Sequence, residues 1–167
     1  EEYGFKERFS NKTAIAPTAS ISIICGGASP GVEPVAANSY THKTLSGSYN
    51  VRNRYLGKIL EKHGKNDDET WSTITTNQGS VSHLDFLTNH EKDVFKTAFE
   101  LDQKWIVELG AERTPYVSQA QSINIFLPAD VHKKELHQIH FQAWKKGLKS
   151  LYYCRSKSIQ RAENVNN

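Results

Sequence analysis

Lys149-Ser150-Leu151-Tyr152-Tyr153-Cys154 decides the fold of this chain. The segment before it closes on Gly147, and a basic, polar run, Arg155-Ser156-Lys157-Ser158, follows it. Helix, glycine, then a short aromatic strand is α/β grammar. We expect a strand over Leu148 to Tyr153. Aromatic residues are common on pleated, half-buried surfaces, so a Tyr-Tyr pair alone is open to a purely structural reading.

Working outward, Asp130 is expected to cap a helix that runs to about Lys146, with Leu136, Ile139, His140, Ala143 and Trp144 as its apolar positions. Ser122 to Phe126 alternates like a strand, and Pro128 breaks it. Thr88 and Glu91 have capping-box spacing and should open one long helix from about His90 to Leu109, stopped by Gly110. Trp71 to Val81 reads as a short helix or strand with a loop after it, and Lys65 to Glu69 as a charged loop. Asn50 is the expected cap of a helix from Val51 to His63, with Gly64 as its stop. Val35 to Tyr49 reads as polar and irregular, with a turn at Ser46-Gly47-Ser48.

The second unusual stretch is Ala16-Pro17-Thr18-Ala19-Ser20-Ile21-Ser22. Lys12 to Ala16 reads as a strand, and Thr18 or Ser20 as the cap of a helical turn through Ile24. Backbone N–H groups converge at such a turn, and the helix dipole favours an anion there. An ordinary capped turn has the same spacing, so both readings stand on these residues alone.

At 167 residues the chain is the size of one domain or part of a larger one. Its net charge of +3 is too small a bias to suggest nucleic acid. No apolar run approaches the ~20 residues of a membrane span, and Glu1-Glu2-Tyr3-Gly4-Phe5 lacks a signal pattern. Two cysteines, Cys25 and Cys154, suit a reducing cytoplasm and no disulfide framework. The absence of methionine suggests a chain trimmed or cut from a longer protein. His132, His137 and His140 share a helix; His137 and His140 are one turn apart, but no third ligand lies at a matching position, so no metal is expected. Phosphate-loop, dinucleotide, metalloprotease and serine-hydrolase motifs are absent.

Taken together and in order, the unusual stretches resemble the large, α subunit of class I ribonucleotide reductases. Pro17-Thr18-Ala19-Ser20, with Gly31-Val32-Glu33-Pro34 and Thr44-Leu45-Ser46-Gly47 downstream, resembles that family's substrate-phosphate loop. Arg113-Thr114-Pro115-Tyr116 and Gln119-Ala120-Gln121-Ser122-Ile123-Asn124-Ile125-Phe126 continue the likeness, and Gly147 to Tyr153 with Arg155-Ser156 looks like its radical-transfer strand.

The resemblance covers nearly the whole of residues 1–167, with a short tail from about 156. It implies the C-terminal part of a ten-stranded α/β barrel, incomplete on its own. It implies that Pro17, Thr18, Ala19, Ser20 and Ile21 hold the substrate diphosphate, although the family commonly has a hydroxyl residue where Ile21 stands. It implies that Tyr152 and Tyr153 relay a radical, with Tyr153 toward the radical-bearing small (β) subunit and Tyr152 toward the active-site cysteine. Adjacent residues on a regular strand point to opposite faces, so the two rings can meet only where the strand ends or kinks.

The expected partners are the upstream portion of the α subunit, the small subunit and a ribonucleoside diphosphate, with no nucleic acid and no membrane. The family's metal-radical cofactor sits in the small subunit, thioredoxin or glutaredoxin is the reductant, and ATP and dATP are effectors bound elsewhere. The implied reaction makes deoxyribonucleotides for DNA synthesis. The family's thiyl-forming and reducing cysteines match nothing in this sequence, and Cys154 matches none of them. An inactive remnant that only binds nucleotide or partner is the alternative.

Overall fold

The computed structural model describes residue 4, residues 9–45 and residues 47–157. Ser46, most of the N-terminal segment read above, and the tail from Ser158 onward lie outside the described residues.

The chain falls into three segments, the last of which carries a parallel strand pair. The first carries α1 (Ala19–Ile24) and a hairpin of β1 (Ser39–Thr44) and β2 (Gly47–Arg52). The second carries α2 (Arg54–Lys62), α3 (Asp68–Thr76), α4 (Asn89–Val94) and α5 (Gln103–Arg113). The third has a 3-10 turn (Thr114–Tyr116), β3 (Ile125–Leu127), α6 (Lys133–Lys145) and β4 (Cys154–Ser156). β3 and β4 pair in parallel, with Ile125 opposite Cys154, and α6 is the crossover between them. Ile15 adds a parallel bridge to Gln121. The described residues form no closed barrel, as expected for an incomplete piece of one.

Two apolar clusters hold these segments. Leu56, Leu60, Trp71 and Ile74 join α2 to α3, with Val81, Leu84 and Leu87 closing the far side. Ile106, Val107, Ile123, Ile125, Ile139 and Ala143 pack α5 and α6 against β3. All three residues of β3 are buried, as in a strand covered on both faces. Gly110, expected as a stop, lies inside α5: a Cβ there would come within 2.7 Å of Ile123 Cδ1, so the glycine lets α5 approach β3 closely.

Four further expectations change. The β1 and β2 strands form an antiparallel hairpin rather than an irregular stretch, with Gly47 at φ 142° opening the second strand. β2 is exposed at every position but the half-buried Val51, so it has no buried face to signal it. Asn53, not Asn50, caps α2, accepting from the N–H groups of Tyr55 and Leu56. The long helix is two. Thr88 and Glu91 form the capping box of α4, but a second local pair, Thr97 with Glu100, takes over downstream. The Ala98 N–H donates to Val35 O at 2.9 Å instead of continuing a helix, and Asp102 then caps α5. His132, not Asp130, caps α6 through Nδ1.

Candidate functional site

The strand expected over Leu148 to Tyr153 begins later, at Cys154, but its hydrogen bonding to β3 starts earlier. The Tyr152 N–H donates to Ile123 O at 2.8 Å, and the Ile125 N–H donates to Tyr153 O at 2.9 Å. The two tyrosines therefore occupy the irregular lead-in to β4. This relaxes the strict alternation of a strand and brings their rings together, with centroids 4.2 Å apart and planes tilted by 57°. Both rings are about half exposed. The Arg155 guanidinium lies 5.5 Å from the Tyr153 ring centroid. Hydrogen bonding to the Tyr153 phenol, with their mutual charge repulsion, pushes the Tyr152 hydroxyl above the usual phenol range. Tyr152 is accordingly neutral at pH 7.

Upstream in the quoted stretch, the Lys149 ammonium donates to the carbonyls of Val117 at 2.8 Å and Ser118 at 2.6 Å. Those loop residues neighbour the segment that leads to Pro17. The Gln119 N–H donates to Thr13 O, and the Ser122 N–H to Ile15 O. Lys12 to Ala16 thus docks beside the loop before β3, through a single bridge and flanking bonds rather than a full strand.

Thr18 stands at the cap position of α1 with no side-chain cap. Its own N–H donates to Pro30 O at 3.1 Å, and its carbonyl accepts from Ser22 N–H at 2.8 Å. The N–H groups of Ala19, Ser20 and Ile21 are the first of the helix and have no carbonyl one turn back to bond. Ala19, Ser20 and Ile21 are all exposed. Convergent donors at an open helix start can cradle an anion.

Glu33 belongs to the Gly31-Val32-Glu33-Pro34 motif, and nothing in its sequence surroundings marks it as an anchor. Glu33 is 4% exposed, and its carboxylate accepts from the backbone N–H of Asn124 and, at 3.3 Å, from its side-chain amide. Its carbonyl accepts from the Ser29 hydroxyl. No spacing rule could pair Glu33 with a residue 91 positions away. Asn124 lies between Ile123 and Ile125, the two residues bonded to the tyrosine backbone. Of the five loop residues Thr18 is tied toward this contact, through Pro30 O, while Tyr152 and Tyr153 border it through Ile123 and Ile125.

The other candidates stay apart. His140 Nδ1 meets Leu136 O at 2.8 Å, and the His137 ring stacks on Phe141. Cys25 and Cys154 are exposed free thiols. The described residues contain no cluster of three or more His, Cys, Asp or Glu that could hold a metal, and no helix long and apolar enough to cross a membrane.

The comparisons with known proteins agree with one another. Residues 1–154 match the family described as the ribonucleotide reductase barrel domain. The large subunit of ribonucleoside-diphosphate reductase from Invertebrate iridescent virus 6 is 51% identical over 97% of this chain and 17% of its own length. The α subunit from Chlamydia pneumoniae is 36% identical over 98% of this chain and 15% of its own length. Among solved structures, the Actinobacillus ureae class Id ribonucleotide reductase α subunit superposes with a TM-score of 0.77 at 39% identity, covering 89% of this chain and 27% of that one. The chain thus spans about a sixth of the length of those two curated relatives. A parallel strand pair with its crossover helix, a family match over nearly the whole chain and the superposition lead to one conclusion: the chain belongs to the ribonucleotide reductase barrel-domain family.

Proposed function

We propose that this chain forms part of the α subunit of a ribonucleoside-diphosphate reductase. In that reading Pro17 to Ile21 hold the substrate diphosphate, and Tyr152 and Tyr153 relay the radical. The observation that carries it is the contact of the two phenol rings, 4.2 Å between centroids, in the irregular lead-in to β4.

A neutral phenol cannot lose an electron alone at pH 7, because the radical cation left behind is strongly acidic. Electron and proton leave together. The relay step is Tyr153–O• plus Tyr152–OH giving Tyr153–OH plus Tyr152–O•, in which one electron and one proton pass between adjacent rings. The raised Tyr152 hydroxyl suits that step, because the phenol keeps its proton until its electron leaves for Tyr153. At the other end, recognition of the diphosphate rests on backbone donors, so Ile21 in place of a hydroxyl residue costs no backbone N–H.

The remaining parts come from elsewhere. We assign the thiyl-forming and reducing cysteines to the upstream portion, the metal-radical cofactor to the small subunit, and reducing equivalents to thioredoxin or glutaredoxin. ATP and dATP act at sites outside these residues, and the assembly works in the cytoplasm.

The test is reconstitution of this chain with the upstream portion and the small subunit. The expected result is binding of a ribonucleoside diphosphate and its conversion to the deoxyribonucleotide. Binding without conversion, with all partners loaded, supports an inactive remnant, and neither binding nor conversion refutes the reading.

A further inference from the structure

Glu33 raises a question that packing alone leaves open. A buried carboxylate loses its hydration and is ordinarily compensated by a cation. Among the described residues Glu33 has no ion pair; its compensation is the amide groups of Asn124. Gly31 is shaped around it, since a methyl group at that position would overlap the Glu33 carboxylate. In turn Asn124 depends on Glu33: its side-chain Oδ1 is buried and has no hydrogen-bond partner among the described residues, so the amide is oriented from the Nδ2 side alone.

On one side of this contact, Ser29 and Pro30 bind back to Glu33 O and to the Thr18 N–H, which fixes the start of α1. On the other, the flanking residues Ile123 and Ile125 hold the backbone of Tyr152 and Tyr153 at 2.8 and 2.9 Å. The path from the loop to the tyrosines thus runs along the backbone from Pro30 to Glu33, crosses to Asn124 through the carboxylate, and leaves through Ile123 and Ile125.

We propose that Glu33 is a positioning residue that holds the diphosphate loop and the tyrosine pair in one register, so that occupancy of the loop is felt at the Tyr152 and Tyr153 backbone. This rests on the function proposed above. Glu33 touches neither the diphosphate nor the radical; it acts through Asn124 on one side and through Ser29 and the backbone leading to Pro30 on the other. Coupling of this kind requires that ligand binding shift the state of a shared element, here the hydrogen bonding between β3 and the lead-in to β4.

The experiment uses the reconstituted assembly, with cytidine diphosphate as the probe. Amide hydrogen exchange is followed at Tyr152 and Ile125, with and without the probe, alongside turnover at saturating substrate. In the wild type the probe should slow exchange at both amides by at least about threefold. Glu33→Ala should abolish that slowing even at saturating probe and lower kcat by tenfold or more, beyond any change in KM. Glu33→Gln keeps an acceptor for the Asn124 N–H and should retain coupling and kcat to within about threefold. A role confined to stability would lower the amount of assembled enzyme without removing the probe-dependent change in what remains.

If Glu33→Ala does not assemble, Glu33→Asp takes its place, since it keeps the charge but withdraws the acceptor by one methylene; it too should lose the coupling. Retained coupling in the variant that assembles, or equal loss in Glu33→Ala and Glu33→Gln, overturns the proposal. A wild-type assembly that fails to bind the probe overturns the functional reading first, and this proposal with it. That failure is visible before any variant is compared.

Discussion

Gly31→Ala is a small change with a calculable consequence. The backbone at Gly31 is not in the left-handed region, so alanine is conformationally admissible there and even restricts the unfolded chain, a gain of about 0.4–1 kcal/mol. Against this, the new Cβ overlaps Glu33 Oε2 and approaches Asn124 Nδ2 to 3.7 Å. Relief comes by one of two movements. If the carboxylate swings away, the buried Asn124 N–H loses its acceptor, at about 1–3 kcal/mol. If the loop shifts instead, the Thr18 N–H to Pro30 O bond of 3.1 Å is stretched, at about 0.5–1.5 kcal/mol, and the start of α1 moves with it. The net effect is a loss of about 1–2 kcal/mol at the loop, a five- to thirty-fold weaker affinity for a nucleoside diphosphate. Titration of the reconstituted assembly with the diphosphate measures this. The control is Gly57→Ala in α2, where the added methyl meets only the Trp71 ring at an ordinary 3.7 Å and should not alter affinity. Affinity that is unchanged or tighter in Gly31→Ala, with the control behaving as expected, refutes the argument that the Glu33 contact holds the loop in shape.

Other expectations follow from single contacts. Ala19→Pro places proline at the first helical position, where the ring fits, yet removes one of the proposed phosphate donors; it should weaken diphosphate binding by about 1.5–3 kcal/mol in the same titration. Thr18→Ala should cost only ~0.5–1.5 kcal/mol, and equal effects would count against a backbone cradle. Asn38→Ala removes the donor to Phe95 O and the acceptor for Asn53 Nδ2, so the stability of the assembly in denaturant should fall by about 2–5 kcal/mol; an unmoved midpoint would show that Asn38 does not join the hairpin base to α2. The N–H of Thr88, followed by His63, lowers the Glu91 carboxyl from its usual 4.5 to about 2. A depressed carboxylate stabilises the fold above its unfolded-state pKa and loses that contribution as pH falls through the folded value. The first turn of α4 should therefore stay protected from hydrogen exchange at pH 5 and fray between about pH 4.5 and 2. Fraying centred well above pH 4.5 would contradict this.

Elements with strong local signals were legible without coordinates. The Thr88–Glu91 capping box is formed as the spacing required, and α6 ends near Gly147, which takes φ 79°. What was not legible depended on partners far along the chain or on competing local bonds. Val94, Phe95, Ala98, Leu101 and Ile106 share a helical period, but Thr97–Glu100 and the donation from Ala98 to Val35 divide the run. The second strand of the hairpin has no alternation of buried and exposed residues, so period could not reveal it. The tyrosine pair was found through a resemblance, and simple strand geometry correctly required a break in regularity at that point. The strand itself was placed too early, because hydrogen bonding by Tyr152 and Tyr153 begins before the regular ladder does. Glu33 was invisible as an anchor: its identity reads as a loop carboxylate, and only the fold brings Asn124 to it.

The central claim is that Tyr152 and Tyr153 carry a radical and are not merely half-exposed aromatic packing. Tyr152→Phe and Tyr153→Phe, each in the reconstituted assembly, test it most directly. Phenylalanine keeps the ring, and with it the 4.2 Å contact, but has no ionisable proton and is far harder to oxidise. Losing a structural hydroxyl costs roughly 1 kcal/mol and would leave most activity intact. The measurement is deoxyribonucleotide formation by variants shown to bind both the diphosphate and the small subunit as the wild type does. The account predicts no detectable product from either variant. More than about a tenth of wild-type turnover, a barrier change under ~1.4 kcal/mol, would contradict it for that residue.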